Sequence, residues 1–554
     1  MSSNKVFGVD LGTTYSCVAY VDQYGVPSVV NNQDGQPTTP SVVIFNPDGS
    51  ATVGQAAKDQ ATVFEERVVK LVKRHMGEPD WQVTIDGQSF TAPEVSSRIV
   101  GAVVEDARMA TGEPIEDVVI TVPAYFGQVE REATRAAGEI AGLNVVDIIN
   151  EPTAAAFTYG FGRGEGREET VLVYDLGGGT FDVTVISLEA GSIRVIATGG
   201  DHHLGGANWD EILADLLATK FEEVHPEADD PRLDPNDAAE LLGRAEDAKR
   251  TLTGSPSAKV KVQSGAHLDM VEITRDEFDQ ATATLLDQTI EMTKKVIEDA
   301  KQLGAPVIDR LLLVGGSALM PQVPERLRNE LSIEPELADP HMAVAKGAAL
   351  WGQKAEITAQ IADELERQGV ATNGDLSHVD EDALDRVLET VAPSVGLTRE
   401  ATKKLVETDA TNVCSQGFGV KVFNEADDRD EVSYLIHRNT PLPVSRTEQY
   451  ATLADDTPAL EIDVREQATE DETEDLDAST SVIAGNISGL PPGYPRGTPV
   501  EVTFAMDNSG RLTVTAQHPG KSEPLVLEQE TGRAITPEQI EESRSKMSGI
   551  ARAR

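Results

Sequence analysis

Hydrophobic positions along this chain follow two periods, and the dominant period changes twice. From Met1 to about Gln353, apolar runs of strand length alternate with stretches of helical spacing. Val118–Val122, closed by Pro123, and Leu311–Val314, closed by Gly315-Gly316-Ser317, predict buried strands. Leu11–Phe45 predicts a meander of strands with turns at Asp22–Gly25 and Asp34–Pro40. Helices are predicted over Pro93–Thr111, Gln128–Ala141, Asn208–Val224, Leu241–Leu252 and Gln322–Leu331, and a helix or long turn over Glu65–Met76. A further helix opens at Asn150-Glu151-Pro152-Thr153, because Pro152 suits a first helical turn.

From Lys354 to Thr411 only the helical period remains. Ile357, Ile361 and Leu365 keep it, as do Ala383, Leu384, Val387, Leu388 and Val391 behind the capping residue Ser377. Pro393 ends that helix, and Thr398–Val406 reads as a third. From Asn412 to about Glu528 the period falls to two, in short strands parted by turn signals such as Asp507-Asn-Ser-Gly510 and Pro491-Pro-Gly493. That is the pattern of a β-sandwich. Ile535–Arg554 has room for one short helix, opened by Thr536-Pro537-Glu538.

One strand–turn–strand unit occurs twice. Val6-Phe-Gly-Val-Asp10-Leu-Gly12-Thr13-Thr14-Tyr15 and Val173-Tyr-Asp175-Leu-Gly177-Gly178-Gly179-Thr180-Phe-Asp182 each run strand, Asp-Leu-Gly, threonine, strand. The glycines leave no Cβ in the way of backbone N–H groups that approach a phosphate. Such a repeat suggests two similar lobes facing one another across a cleft, each lending a carboxylate, a hydroxyl and a glycine turn. A metal-bound nucleotide needs that set: donors for phosphate oxygens, and carboxylates for metal-bound water. The plainer alternative is a pair of ordinary glycine hairpins, Asp being a common turn residue; duplication within one chain argues against it. No Gly-x-x-x-x-Gly-Lys-Ser/Thr loop occurs, which excludes a Walker-type site. Lys70, Lys73, Arg74 and His75 crowd the end of the predicted turn, where basic residues have a plain role beside the helix dipole. Glu246, Lys249, Arg250 and Thr253 share one side of a helix, and spacing alone favours a solvated, salt-bridged face.

Composition narrows the partners. At 554 residues the chain has room for three or four domains. A net charge of −47 repels nucleic-acid phosphates and anionic membrane surfaces alike. Two cysteines, Cys17 and Cys414, cannot form a disulfide framework, and reduced, cytoplasmic residence is the simplest expectation. Met1–Lys5 lead straight into the first strand, so neither a signal peptide nor a membrane span is expected.

In sum and in order, the motifs resemble those of the seventy-kilodalton heat-shock chaperones of the DnaK type. The carrying residues are Gly8-Val-Asp10-Leu-Gly-Thr-Thr-Tyr-Ser-Cys-Val-Ala19, Val72-Lys73-Arg-His-Met-Gly77, Thr121-Val-Pro123-Ala-Tyr-Phe126, Ile149-Asn-Glu151-Pro-Thr-Ala154, Asp175-Leu-Gly-Gly-Gly-Thr-Phe-Asp182 and Leu313-Val-Gly-Gly-Ser317. Weaker likeness extends to Ile436-His-Arg-Asn-Thr-Pro-Leu-Pro443 and Val500–Val514. The resemblance implies a multidomain fold. It has a two-lobed, actin-like α/β ATPase domain over 1–353, then a helical connector over 354–411. A substrate-binding-like β-sandwich over 412–530 and a residual lid helix or tail over 531–554 complete it.

It also implies roles. Asp10 and Asp175 resemble the carboxylates around Mg²⁺, acting through water, while Gly12, Thr13, Thr14, Tyr15 and Gly177–Gly179 resemble the phosphate loops. Lys73 resembles the catalytic lysine, and Glu151, Thr180 and Asp182 complete its network. Gly205, Gly206, Glu246, Lys249, Arg250, Thr253, Gly315, Gly316 and Ser317 resemble the rest of the nucleotide pocket, which overrides the surface-helix reading. Pro123 and Arg131 resemble the pair that passes nucleotide state outward. Tyr450, Leu460 and Ile462 fall near the groove for an extended apolar peptide, or else in the sandwich core. ATP, Mg²⁺ and K⁺ are the implied cofactors; unfolded polypeptide, a J-domain co-chaperone and a nucleotide exchange factor are the implied partners.

Four departures stand out. Leu319 occupies a place where the family has arginine, and His341 falls where aspartate is usual. The short leucine-rich acidic linker is not recognisable, and 354–411 reads either as a spacer or as a small helical adaptor. The family's long helical lid is essentially missing. Glu466–Asp477, with seven acids and no base, reads as a mobile, solvated loop. The expected function is an ATP-hydrolysing, nucleotide-switched chaperone. The rival is a nucleotide-gated scaffold for one partner with vestigial hydrolysis, and a kinase of the same fold is a distant third.

Overall fold

Two six-stranded sheets are built to one plan in the computed structural model of the protein, which describes residues 5–553 except 62, 163–167, 190–191, 338–341, 371–375, 377–378, 470–471, 509 and 529–534. In the first, the path runs Asn144–Asn150, Asp117–Val122, Phe7–Asp10, Tyr15–Val21, Pro27–Val30, with Thr39–Pro40 paired to Tyr15–Val21. In the second it runs Pro335–Leu337, Arg310–Val314, Glu169–Leu176, Phe181–Glu189, Ser192–Asp201. The first three strands of each path are parallel, and the last two turn back antiparallel. The two Asp-Leu-Gly hairpins therefore sit at the same place in matching sheets, and the repeated motif marks a repeated architecture. The central strands read as unbroken apolar runs because both faces are covered: Val118, Val119, Ile120 and Val122 are fully buried.

Several elements differ from the sequence expectation. Of the helix or long turn expected over Glu65–Met76, the turn is found, as two 3-10 turns, Glu65–Arg67 and Val72–His75, but they flank an unexpected short strand, Val68–Val69. The β-branched pair there joins Val43 and Ile44 in a small sheet, and Leu71 turns the chain with φ 55°. The helix Ala343–Arg367 runs unbroken through position 353. Its Ile357, Ile361 and Leu365 share an apolar core with Ala154, Phe157, Val387, Leu388, Val391 and Leu405. Helices Glu381–Ser394 and Arg399–Glu407 thus continue the core of the first sheet rather than forming a solvated spacer. Ser377 lies outside the described residues. The chain then leaves through a strand the sequence did not reveal: Asp409–Thr411 pairs in parallel with Ser192–Arg194 at the edge of the second sheet.

The C-terminal region holds two four-stranded sheets, both antiparallel. One is ordered Arg429–Ile436, Phe418–Asn424, Ala459–Gln467, Ser479–Ser488; the other Val444–Ala451, Pro499–Met506, Leu512–Gln517, Leu525–Glu528. Alternate residues of both meet in one core around Phe418, Ile436, Val464, Phe504 and Val514. The two ends of the acidic run are not free loop, because Glu466 and Gln467 finish a strand and are buried, and Asp475 caps a 3-10 turn. The last helix, Pro537–Ser548, lies on the first lobe instead of over these sheets. Met547 enters that lobe's core, Lys546 pairs with Glu94 at 2.7 Å, and Arg552 pairs with Asp106 at 2.6 Å. Among the described residues no helix is long and apolar enough to cross a membrane.

Candidate functional site

The two hairpins point at each other. A Cβ built on Gly178 would meet Thr14 Oγ1 at 2.1 Å, and one on Gly179 would meet Thr13 Cγ2 at 2.3 Å, so only glycine lets the turns approach this closely. Gly315, at φ +82°, brings the third glycine turn against Asp175: a Cβ there would sit 2.5 Å from its Oδ1. The start of helix Gly206–Val224 closes over the same turn, with Gly206 N–H donating to Gly177 O at 3.0 Å and Ala207 N–H to Gly178 O at 2.7 Å.

Beneath the turns, four carboxylates surround one lysine. Lys73 and Glu151 form a buried ion pair. Asp10, at the end of its strand, accepts from Thr121 Oγ1 at 3.1 Å, and Asp182 accepts from Ala124 N–H at 2.8 Å. Burial first, and Glu151 next, push the Asp10 carboxyl up to about 7. Burial and the charge of Glu151 hold Asp175 and Asp182 well above the ordinary carboxylate range. One lysine cannot neutralise four acids, so the centre suits additional positive charge. Thr180 lies buried at the return of the second turn.

The predicted adenosine clamp comes together only in part. Glu246 receives Lys58 Nζ on both oxygens at 2.7 Å and Arg250 Nη2 at 2.7 Å. Tyr15 Oη accepts from Lys58 Nζ at 3.0 Å and from Arg250. Lys249 instead pairs with Asp210 at 2.8 Å and bonds Gly206 O at 2.8 Å. Thr253 turns its hydroxyl back to Lys249 O at 3.1 Å. Ser317 packs beside Gly206, and Leu319 ends the 3-10 turn Gly316–Leu319. His341 lies outside the described residues. Lys58 and Arg74 were missed. Arg74 spans from the Val72–His75 turn to Gly179 O at 3.0 Å and Asn208 Oδ1 at 3.1 Å. Lys58 meets partners 43 and 188 residues away, which no local pattern discloses.

A polar chain leads from this centre to the C-terminal sheets. Pro123 ends the strand beside Asp182's partner Ala124, and Arg131 is buried against Asn150 and Phe126 O. Asn150 Nδ2 and Thr153 Oγ1 both donate to Asn412 Oδ1 at 3.3 Å. Gln128 N–H donates to Glu466 Oε1 at 3.3 Å, and Gln416 Nε2 to Tyr125 O at 3.4 Å. Burial, then the neighbouring Glu130, push Glu466 up to about 8. Glu466 therefore keeps its proton when docked and loses it when released into water. Its folded value lies above the ordinary 4.5, so its support for docking is full below about 4.5 and falls as pH rises to about 8. Glu466→Gln should flatten this dependence and raise the unfolding midpoint at about pH 8, read by thermal scans from about pH 5 to about pH 8. A parallel curve would contradict the buried, protonated state.

The peptide residues fall on two sheets. Tyr450 and Leu460 pack at the rim of the shared core, where Tyr450 Oη donates to Ser433 Oγ at 2.9 Å. Ile462 is inside that core, 5% exposed, as the alternative reading had it.

Matched sheets, opposed glycine turns and an acid-rich centre with one lysine offer backbone donors suited to a phosphate ester and carboxylates suited to a cation. Residues 6–82, 78–363 and 410–553 match the family model of the Hsp70 proteins. Chaperone protein DnaK from two strains of Halobacterium salinarum is 36% identical over 557 residues, covering 98% of this chain and 77% of the relative. The chain belongs to the Hsp70 family. At that level it is an ATP-binding chaperone and an ATPase. The matched stretches stop at 363 and resume at 410, so helices Glu381–Ser394 and Arg399–Glu407 fall outside them while the strand Asp409–Thr411 straddles the restart.

Proposed function

We propose that the protein hydrolyses ATP slowly and uses the nucleotide state to set its hold on unfolded or extended peptide. The carrying observation is half-buried Asp10 with buried Glu151, Asp175 and Asp182 around Lys73, beside two opposed glycine turns. That donor set fits Mg²⁺ held by Asp10 and Asp175 through water, with K⁺ sharing the surplus negative charge. A bound Mg²⁺ would offset charge on the phosphate oxygens. Lys73, fixed by Glu151, orients the attacking water and meets charge developing on the γ-phosphate. Thr13, Thr14, Thr180 and Gly177–Gly179 supply donors to the phosphates. Glu246, Lys249, Arg250, Thr253, Gly205, Gly206 and Gly315–Ser317 bound the adenosine side, with Arg250 already bonding both Tyr15 and Glu246.

On this reading 1–353 is a two-lobed, actin-like ATPase domain. Residues 354–411 couple it to a peptide-binding sandwich over 412–530, and 531–554 are a tail. J-domain and exchange-factor partners and a cytoplasmic setting go with it. The rival is a scaffold for one dedicated partner. Steady-state ATP turnover with and without a generic unfolded peptide separates the two. Stimulation by peptide is expected, and turnover indifferent to peptide would favour the scaffold.

A further inference from the structure

Outside the nucleotide site, two histidines and two carboxylates converge on the second lobe. Helix Gly206–Val224 ends at His225, whose backbone N–H bonds Phe221 O at 2.9 Å. A turn closed by Ala228 N–H to His225 O at 3.0 Å folds Glu227 back beside it. The hairpin Ser257–Ser264 and His267–Thr274 packs against this helix; Lys220 Nζ ties the two through Glu272 O at 3.1 Å and also pairs with Glu277, just beyond the hairpin, at 2.6 Å. His267 and Asp269 are two apart on one strand and share a face.

The spacing of the side-chain atoms is informative. His225 Nδ1 and His267 Nδ1 each lie 3.5 Å from the same oxygen of Glu227. His225 Nε2 lies 3.6 Å from Asp269. These separations are long for charge-assisted hydrogen bonds, which run about 2.7–2.9 Å. They match the ligand–ligand edge of a tetrahedral zinc site, about 3.3–3.6 Å for bonds of about 2.0–2.2 Å.

We propose that His225 Nδ1, His267 Nδ1 and the Glu227 carboxylate bind one divalent transition-metal ion, with Zn²⁺ favoured by the ligand types. Asp269, 3.6 Å from His225 Nε2, is placed to accept its N–H when the ion holds the ring, which would fix the tautomer that leaves Nδ1 free to ligate. The fourth position is left to water. Glu227 and His267 are partly exposed, so the ion enters from solvent. The ion clips the helix end to the hairpin tip, joining elements that Lys220 already holds in register.

The test is Zn²⁺ binding to the full chain by calorimetry, with Mg²⁺ in excess to block the acid-rich centre around Lys73. One Zn²⁺ per chain is expected. His267→Ala should weaken it at least about 100-fold and Asp269→Asn about tenfold. Zn²⁺ should raise the unfolding midpoint of the wild type and leave that of His267→Ala unmoved. Co²⁺ bound to the wild type should show a four-coordinate visible spectrum that His225→Ala removes, a second readout if one variant folds poorly. The residues Asp201, His202 and His203 form another histidine-bearing cluster. Binding lost on His202→Ala but kept on His267→Ala would overturn the proposal, as would the absence of stoichiometric binding.

Discussion

Lys73→Ala is expected to lower the single-turnover rate of ATP hydrolysis by on the order of 10²–10³, the loss typical of one preorganised charge-stabilising donor. ATP should still bind, because the glycine turns and the Tyr15–Glu246–Arg250 cluster do not depend on Lys73. The lysine is buried at 3% exposure and paired with Glu151, and its charge opposes the burial that raises Asp10, Asp175 and Asp182. Its removal leaves four acids with no lysine between them. Protonation of one or more carboxyls then keeps the fold while leaving the γ-phosphate without its donor. Retained ATP binding is the control for folding. Equal single-turnover rates in mutant and wild type would remove Lys73 from the mechanism.

Arg131→Ala is expected to collapse the nucleotide dependence of peptide release while leaving basal hydrolysis within a few-fold. Arg131 bonds Asn150, which neighbours Glu151 in the chain and also donates to Asn412 at 3.3 Å. Thr153 reaches the same Asn412 oxygen at 3.3 Å. The carboxylate that holds Lys73 is thus one peptide bond from a polar network that ends in the segment leading to the C-terminal sheets. Truncating Arg131 leaves the buried Asn150 Oδ1 without its donor, at a cost of about 1–3 kcal/mol. An allosteric coupling is ordinarily about 1–3 kcal/mol, or roughly 5–150-fold in affinity. The ratio of peptide dissociation rates in ATP and ADP should fall from that range toward one. A ratio unchanged from wild type would place the coupling elsewhere, with the edge strand Asp409–Thr411 the next element to test.

The duplicated Asp-Leu-Gly unit was the most legible part of the chain, because glycine runs between β-branched strands leave a strong local signature. The two similar lobes it suggested recur as two sheets of matching strand order. The C-terminal strands were legible for a similar reason, since their alternation reflects one covered face. What escaped was whatever depends on distant partners. Val68–Val69 is a strand because Val43 and Ile44 receive it, against the helical run of basic residues that follows. Asp409–Thr411 is too short to carry a period, and only the edge of the second sheet defines it. Glu466 looks solvated among seven acids, yet it is buried because the strand carrying it docks on the turn before helix Gln128–Ile140. Lys249 and Glu246 share a helical face, but one turns to Asp210 and the other to Lys58, a division set by the opposing lobe.

The central claim is that nucleotide state governs peptide binding. Its most direct test is the dissociation rate of a labelled extended apolar peptide from the wild-type chain, measured with ADP and again with ATP. Faster release with ATP is expected, by a factor within roughly 5–150. Identical release in the two nucleotides would contradict it.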